Sequence, residues 1–240
     1  MIKHIPNLLT SLNLASGFIS IIFAAKGDLV TASWFIAAAM VFDFSDGFTA
    51  RLLKAYSAIG KELDSLADIV SFGVSPALMI YQLITNSIPE QMPELSAYNK
   101  IIFTVIISSP VLMPVCAGLR LAVFNVDPNQ YFSFKGLPTP ANAIGVISVI
   151  LGAQYSDSSI LDSFAASPLA LAVYTIVLSI LMVTRIPLLS LKMTHLRVKG
   201  NEGRYILAAL VVVSFAFLGF AALPLIIPFY LASSWISTLF

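Results

Sequence analysis

Four aspartates, Asp43, Asp46, Asp64 and Asp68, stand at the margins of two apolar segments, in the stretch DFSDGFTARLLKAYSAIGKELDSLAD. On a helix Asp43, Asp46, Gly47 and Ala50 fall at i, i+3, i+4 and i+7 and share one face. Gly60, Asp64 and Asp68, at i, i+4 and i+8, share another. The intervening Lys54 to Ile59 is short and polar enough to turn the chain, so the two faces can meet. Four carboxylates then converge over a floor of glycine and alanine, and they repel one another unless cations sit among them. Hard oxygen ligands of this kind suit Mg²⁺ or Mn²⁺ rather than zinc. Two such ions would balance four aspartates and leave their field available to a diphosphate. Helix capping or a water-facing membrane boundary explains one such residue, not four at this spacing. A carboxylate in a membrane helix costs roughly 2.5–3.5 kcal/mol on insertion scales, so a function is the better account.

The elements that must carry these residues are apolar helices. Of 240 residues, 58% are hydrophobic and 10% charged, against about 25% charged in soluble domains. The chain reads as an all-α, polytopic transmembrane bundle in a single domain over 1–240. The first span follows Pro6 and runs to about Ala25. It carries Asn7, Thr10 and Asn13 at i, i+3 and i+6, a polar stripe that points either to the aspartates or to ordinary helix–helix hydrogen bonds. Further spans are expected at about Leu29–Leu53, Ser57–Thr85 and Lys100–Val123, then roughly 138–154, 167–190, 205–222 and 224–239. The last two make an additional helical hairpin over about 205–240 or a partly embedded element, so the count is six to eight. Asn86 to Tyr98, with Pro89 and Pro93, reads as a loop. Pro110 and Pro114 should kink the fourth span.

A formal net charge of +1 leaves no footprint for nucleic acid. Cys116 is the single cysteine, so no intramolecular disulfide can form. With alternating spans and a cytoplasmic amino terminus, Lys3, Arg51, Lys54, Lys61, Arg120, Lys135, Arg185, Lys192, Arg197, Lys199 and Arg204 fall on the cytoplasmic side, and Lys26 and Lys100 opposite. Eleven against two sets the orientation and puts the aspartates at the cytoplasmic mouth of the bundle. Arg120 and Asn125 lead into Phe134-Lys135-Gly136-Leu137-Pro138-Thr139-Pro140. That connection brings Arg120 and Lys135 toward the acidic cluster, where they would bind a lipid phosphate or an acceptor carboxylate, with Asn125 and Thr139 adding neutral hydrogen bonds. The plainer alternative makes them ordinary positive-inside residues.

The pattern Asp43-x2-Asp46-Gly47-x2-Ala50-Arg51-x8-Gly60-x3-Asp64-x3-Asp68 resembles, at eight fixed positions over 26 residues, the signature of the CDP-alcohol phosphatidyltransferases. PNLLTSLNL resembles the segment of that family that approaches the CDP group. LRLAVFN, F-x-G-LPTP and Arg185-Ile-Pro187-Leu-Leu-Ser190-Leu-Lys192 resemble its serine-accepting branch, although Val123 stands where that branch often has a second basic residue. The resemblance implies transfer of a phosphatidyl group from CDP-diacylglycerol to L-serine, with release of CMP. It implies metal ligation by Asp43, Asp46, Asp64 and Asp68, and Asp68 as general base. It further implies a CDP site at Asn7, Thr10, Asp46, Gly47, Ala50, Arg51 and Gly60. A bacterial inner membrane, surrounding membrane lipids and a homodimer are the expected setting. Two rivals stand beside this reading. One is the same chemistry with glycerol 3-phosphate or inositol phosphate, which would want a denser basic pocket. The other is a cation-coupled transporter, which would want its acids at the midplane.

Overall fold

The computed structural model describes residues 4–55, 57–88, 97–126, 134–189 and 201–237. Lys3, Lys192, Arg197, Lys199 and most of the expected loop at 86–98 lie outside them, as does the side chain of Lys135. Helix α1 (Ile5–Ala25) carries Pro6 in its first turn, where the fixed φ of proline suits the helix. Asp28 then caps α2 (Leu29–Leu52) by accepting from the Thr31 amide at 3.0 Å. That bond holds the Asp28 carboxyl below the usual carboxylate range. Ser57 caps α3 (Ala58–Asp68) in the same way, accepting from Gly60 at 2.9 Å.

The third expected span is continuous but not regular. A π-helical turn, Ile69–Val74, separates α3 from α4 (Ser75–Asn86). The fourth contains a 3₁₀ turn at Ser109–Val111, where Pro110 removes a backbone donor, between α5 (Ala97–Ser108) and α6 (Leu112–Val126). The chain next forms β1 (Phe134–Lys135) and α7 (Thr139–Tyr155). Helix α7 is buried along almost its whole length and forms the centre of the bundle. Helices α8 (Ser159–Ala165) and α9 (Pro168–Val183) follow, bent 82° to each other. The span expected at 167–190 is therefore shorter, because Pro187 holds the preceding residue extended and the chain enters β2 (Pro187–Leu188). Helix α10 (Glu202–Leu218), a 3₁₀ turn over Gly219–Leu225 and α11 (Ile226–Ser237) complete the described chain. Gly203 lies against Ser233 and Ser237, so α10 and α11 run antiparallel. By length and composition, five helical stretches among the described residues could cross a membrane, and six with α8–α9 taken as one bent span. Six is the lower end of the expected count.

Close approach of helices is made by small side chains, as packing in lipid requires. A Cβ at Gly17 of α1 would stand 2.7 Å from the Ser71 Cα, and one at Gly73 would stand 3.2 Å from the Ala117 Cβ of α6. Ser20 of α1 pairs its hydroxyl with Ser75 of α4 at 2.7 Å and donates to the Ala32 carbonyl of α2 at 2.8 Å. Strand β1 is antiparallel to β2, with Phe134 opposite Leu188 and Lys135 opposite Pro187. Gly136 then turns with φ +76°, where an added Cβ would meet the Met182 carbonyl oxygen at 2.6 Å and the Thr184 one at 2.7 Å. Both the dihedral and the space admit only glycine. We expect Gly136→Ala to cost about 1–3 kcal/mol, lowering the thermal midpoint in detergent. Gly118→Ala, where a Cβ meets nothing within 4 Å, should leave the midpoint unchanged or raise it.

Candidate active site

The polar stripe of α1 organises the site. Asn7, Thr10 and Asn13 project from one helix face, and each reaches a different residue of the acidic stretch. The Asn7 side-chain oxygen is 3.0 Å from where a Gly60 Cβ would sit. The Thr10 hydroxyl is 2.5 Å from Asp46 Oδ2 and 3.0 Å from the Pro6 carbonyl. Its one proton goes to the nearer, charged acceptor. Buried Asn13 donates to Asp68 Oδ1 at 3.4 Å.

Asp43 from α2 and Asp64 and Asp68 from α3 each offer an oxygen within 4.8 Å of the others. Carboxylates gathered this closely repel one another unless a proton or a cation is shared among them. Asp64 Oδ1 is buried and meets no donor among the described residues, and a buried anionic oxygen left so is costly. Three convergent carboxylates with an orphaned oxygen fit a divalent cation. Asp46 does not join this group of three. It is 6% exposed, is held by Thr10, and acts electrostatically on Asp43 and Asp64 from beside them.

A cavity of about 310 Å³ opens beside the cluster, within the range of nucleotide-sized sites. Asn7, Thr10, Asp46, Gly47, Ala50, Arg51 and Gly60 all line it, together with Asp64. Gly47 faces open space, with nothing within 4 Å of an added Cβ, whereas Gly60 does not. A Cβ at Gly60 would lie 2.9 Å from the Ser57 hydroxyl, so this glycine serves the packing of α3 on α1 as well as the cavity wall. Lys61 also lines the cavity, and sequence reasoning did not select it. Its place between Gly60 and Asp64 was the available signal, since a basic residue inside an acidic motif answers to charge. Lys61 Nζ donates to the Asn125 carbonyl at 2.7 Å, and the Asn125 amide donates to Ser65 at 2.9 Å. Asn125 therefore ties α6 to α3 instead of presenting its amide to a small molecule.

Thr139 is likewise committed within the protein, with its hydroxyl 3.5 Å from Asp68 Oδ2. Asp68, 7% exposed, thus sits between Asn13 of α1 and Thr139 of α7. The π turn that follows it brings the Phe72 carbonyl to the Asn142 amide at 3.1 Å and the Ser71 hydroxyl to the Asn13 carbonyl at 3.0 Å. Asn142, one turn after Thr139, was also not selected from the sequence. Its partner depends on a helical irregularity that no local spacing announces. Arg120 is half-buried, within electrostatic reach of Asp68, and its Nε meets no acceptor among the described residues. Arg51 stands at the exposed rim of the cavity.

The model of the CDP-alcohol phosphatidyltransferase family matches residues 3–176. The chain belongs to this family. It is 33% identical over 184 residues to the CDP-diacylglycerol–serine O-phosphatidyltransferase of Bacillus subtilis, covering 77% of this chain and 89% of that protein. It is 35% identical over 148 residues to the protein of the same name from Helicobacter pylori J99, covering 61% of this chain and 56% of the relative. It is also 35% identical over 157 residues to the archaetidylserine synthase of Methanothermobacter thermautotrophicus, covering 65% of this chain and 61% of the relative.

The open face at Gly47 gives a direct test of the cavity. Leucine is favourable in a membrane helix, so Gly47→Leu should insert normally while filling the space. We expect CDP-diacylglycerol binding to fall at least about tenfold, the order of 1.4 kcal/mol. Unchanged binding would show that the ligand lies elsewhere.

Proposed function

We propose that this protein transfers the phosphatidyl group of CDP-diacylglycerol to the hydroxyl of L-serine, giving phosphatidylserine and CMP. One observation carries the reading. The group of Asp43, Asp64 and Asp68 adjoins a nucleotide-sized cavity that shares Asp64 with it and has Arg51 and Lys61 in its wall. The printed names of the Bacillus and Helicobacter relatives support serine as the acceptor. The basic-residue asymmetry supports an inner-membrane protein with a cytoplasmic amino terminus, open to soluble nucleotides and serine.

Asp43, Asp64 and Asp68, with Asp46 beside them, would hold Mg²⁺ or Mn²⁺, two ions on the argument of charge. Bound there, divalent cations stabilise negative charge on phosphate oxygens. The chain's own side chains supply the rest. Gly47 and Ala50 give the nucleotide room against α2, and Arg51 and Lys61 offer charge to its phosphates. The serine oxygen forms a bond to the phosphorus that bears the lipid, the bond from that phosphorus to the CMP oxygen breaks, and CMP leaves with the electron pair. The serine hydroxyl proton passes to Asp68. Its contribution as a base depends on position. Asn13 and Thr139 hold that carboxylate from two sides.

Purified protein incubated with CDP-diacylglycerol and, separately, L-serine, glycerol 3-phosphate or inositol phosphate should release CMP with serine alone. Excess chelator should abolish the release, and Mg²⁺ or Mn²⁺ should restore it. Asp68→Asn should lower kcat by about 10²–10⁴-fold, the usual worth of a positioned base. Turnover with a phosphorylated acceptor in place of serine would overturn the acceptor assignment, and full turnover in chelator would overturn the metal.

A further inference from the structure

The family match ends at residue 176, yet the hairpin of α10 and α11 reaches back to the site. Leu189 follows β2 directly, and both of its backbone groups are taken up by side chains of α11. Tyr230 donates its hydroxyl to the Leu189 carbonyl at 2.9 Å, and the Leu189 amide donates to the Ser234 hydroxyl at 3.0 Å. Strand β2 pairs with β1, and the chain leaving β1 is fastened again. The Gly136 amide donates to the Ile186 carbonyl at 3.0 Å and the Leu137 amide to the Leu181 carbonyl at 2.8 Å. Two residues later Thr139 meets Asp68. Tyr230 is 5% exposed.

We infer that α11 is a buttress for the active site, with Tyr230 and Ser234 as positioning residues that set Thr139 against Asp68 through the β1–β2 ladder. Neither residue lines the cavity. The inference rests on the proposed role of Asp68 only for its kinetic consequence. Its structural consequence stands independently, because the bonds of Leu189 to these two hydroxyls are observed directly.

The test uses Tyr230→Phe and Ser234→Ala, singly and together, in the full-length protein in lipid nanodiscs. Hydrogen exchange followed by mass spectrometry reads the Gly136 and Leu137 amides, and steady-state assays vary serine and CDP-diacylglycerol separately. Losing one net hydrogen bond should speed exchange at these two amides about tenfold, with α1 and α2 peptides unchanged. The double variant should also lower kcat about tenfold or more at an unchanged KM for CDP-diacylglycerol. Faster exchange across all helices would mean that the hairpin serves general stability, and unchanged exchange at Gly136 and Leu137 would mean that it buttresses nothing. Either result overturns the inference. If wild-type protein does not use serine, the acceptor assignment fails while the exchange result still decides the buttress.

Discussion

The structure depends on carboxylates brought together inside an apolar bundle. Unit charges 4 Å apart repel by about 4 kcal/mol at an effective dielectric of 20, and burial adds a cost for each. Asp43, Asp64 and Asp68 nevertheless converge. The neighbouring elements answer that strain. Helix α1 spends one polar face on them, with Thr10 bonded to Asp46 and Asn13 to Asp68, while α7 adds Thr139. These are neutral donors, so they orient the carboxylates without discharging them. In the proposed reading a divalent cation balances that charge, and the Asp64 oxygen with no donor among the described residues is the atom available to it.

Holding the acids together also dictates the backbone around them. Helix α1 must approach α3 and the π turn closely for its short side chains to reach, and Gly17 and Gly60 remove the atoms that would prevent it. The π turn after Asp68 frees backbone groups that a regular helix would satisfy, and Asn142 takes the Phe72 carbonyl. Helix α7 carries both Thr139 and Asn142 from the core of the bundle, so its deep burial and its polar residues serve one purpose. A central apolar helix fixes the distance at which two polar groups meet the acidic segment.

Local periodicity carried the sequence reading far, because the aspartate motif is itself local. Spacing on a helix put Asp43 and Asp46 on one face and Asp64 and Asp68 on another, and a short turn sufficed to oppose them. The α1 stripe was legible for the same reason. The commitments of Asn125 and Thr139 were not. Each bonds a residue about 60–70 positions away, Ser65 and Asp68 respectively, and a sequence does not state which of several polar candidates a side chain will find. The β1–β2 ladder escaped because two residues per strand offer no alternation to read. The expected end of α9 at 190 is late because apolar residues resume after Thr184 and Arg185, at Ile186, Leu188 and Leu189, although Pro187 is the signal that stops the helix.

Asp64 shows how the two halves of the site become one. Its side chain is counted among the three convergent carboxylates and also in the wall of the cavity. Asp46 is in that wall too, but with one oxygen already given to Thr10, so it has less to offer a cation. Asp43 and Asp68 belong to the cluster alone among the described cavity lining. On the proposed reaction, a diphosphate in the cavity would meet the acidic group through Asp64, with Arg51 and Lys61 in the same wall supplying opposite charge. Asp68 is outside that wall and bonded to Asn13 and Thr139. The proposal therefore gives the leaving nucleotide and the incoming alcohol different members of one cluster, as an in-line displacement at phosphorus requires.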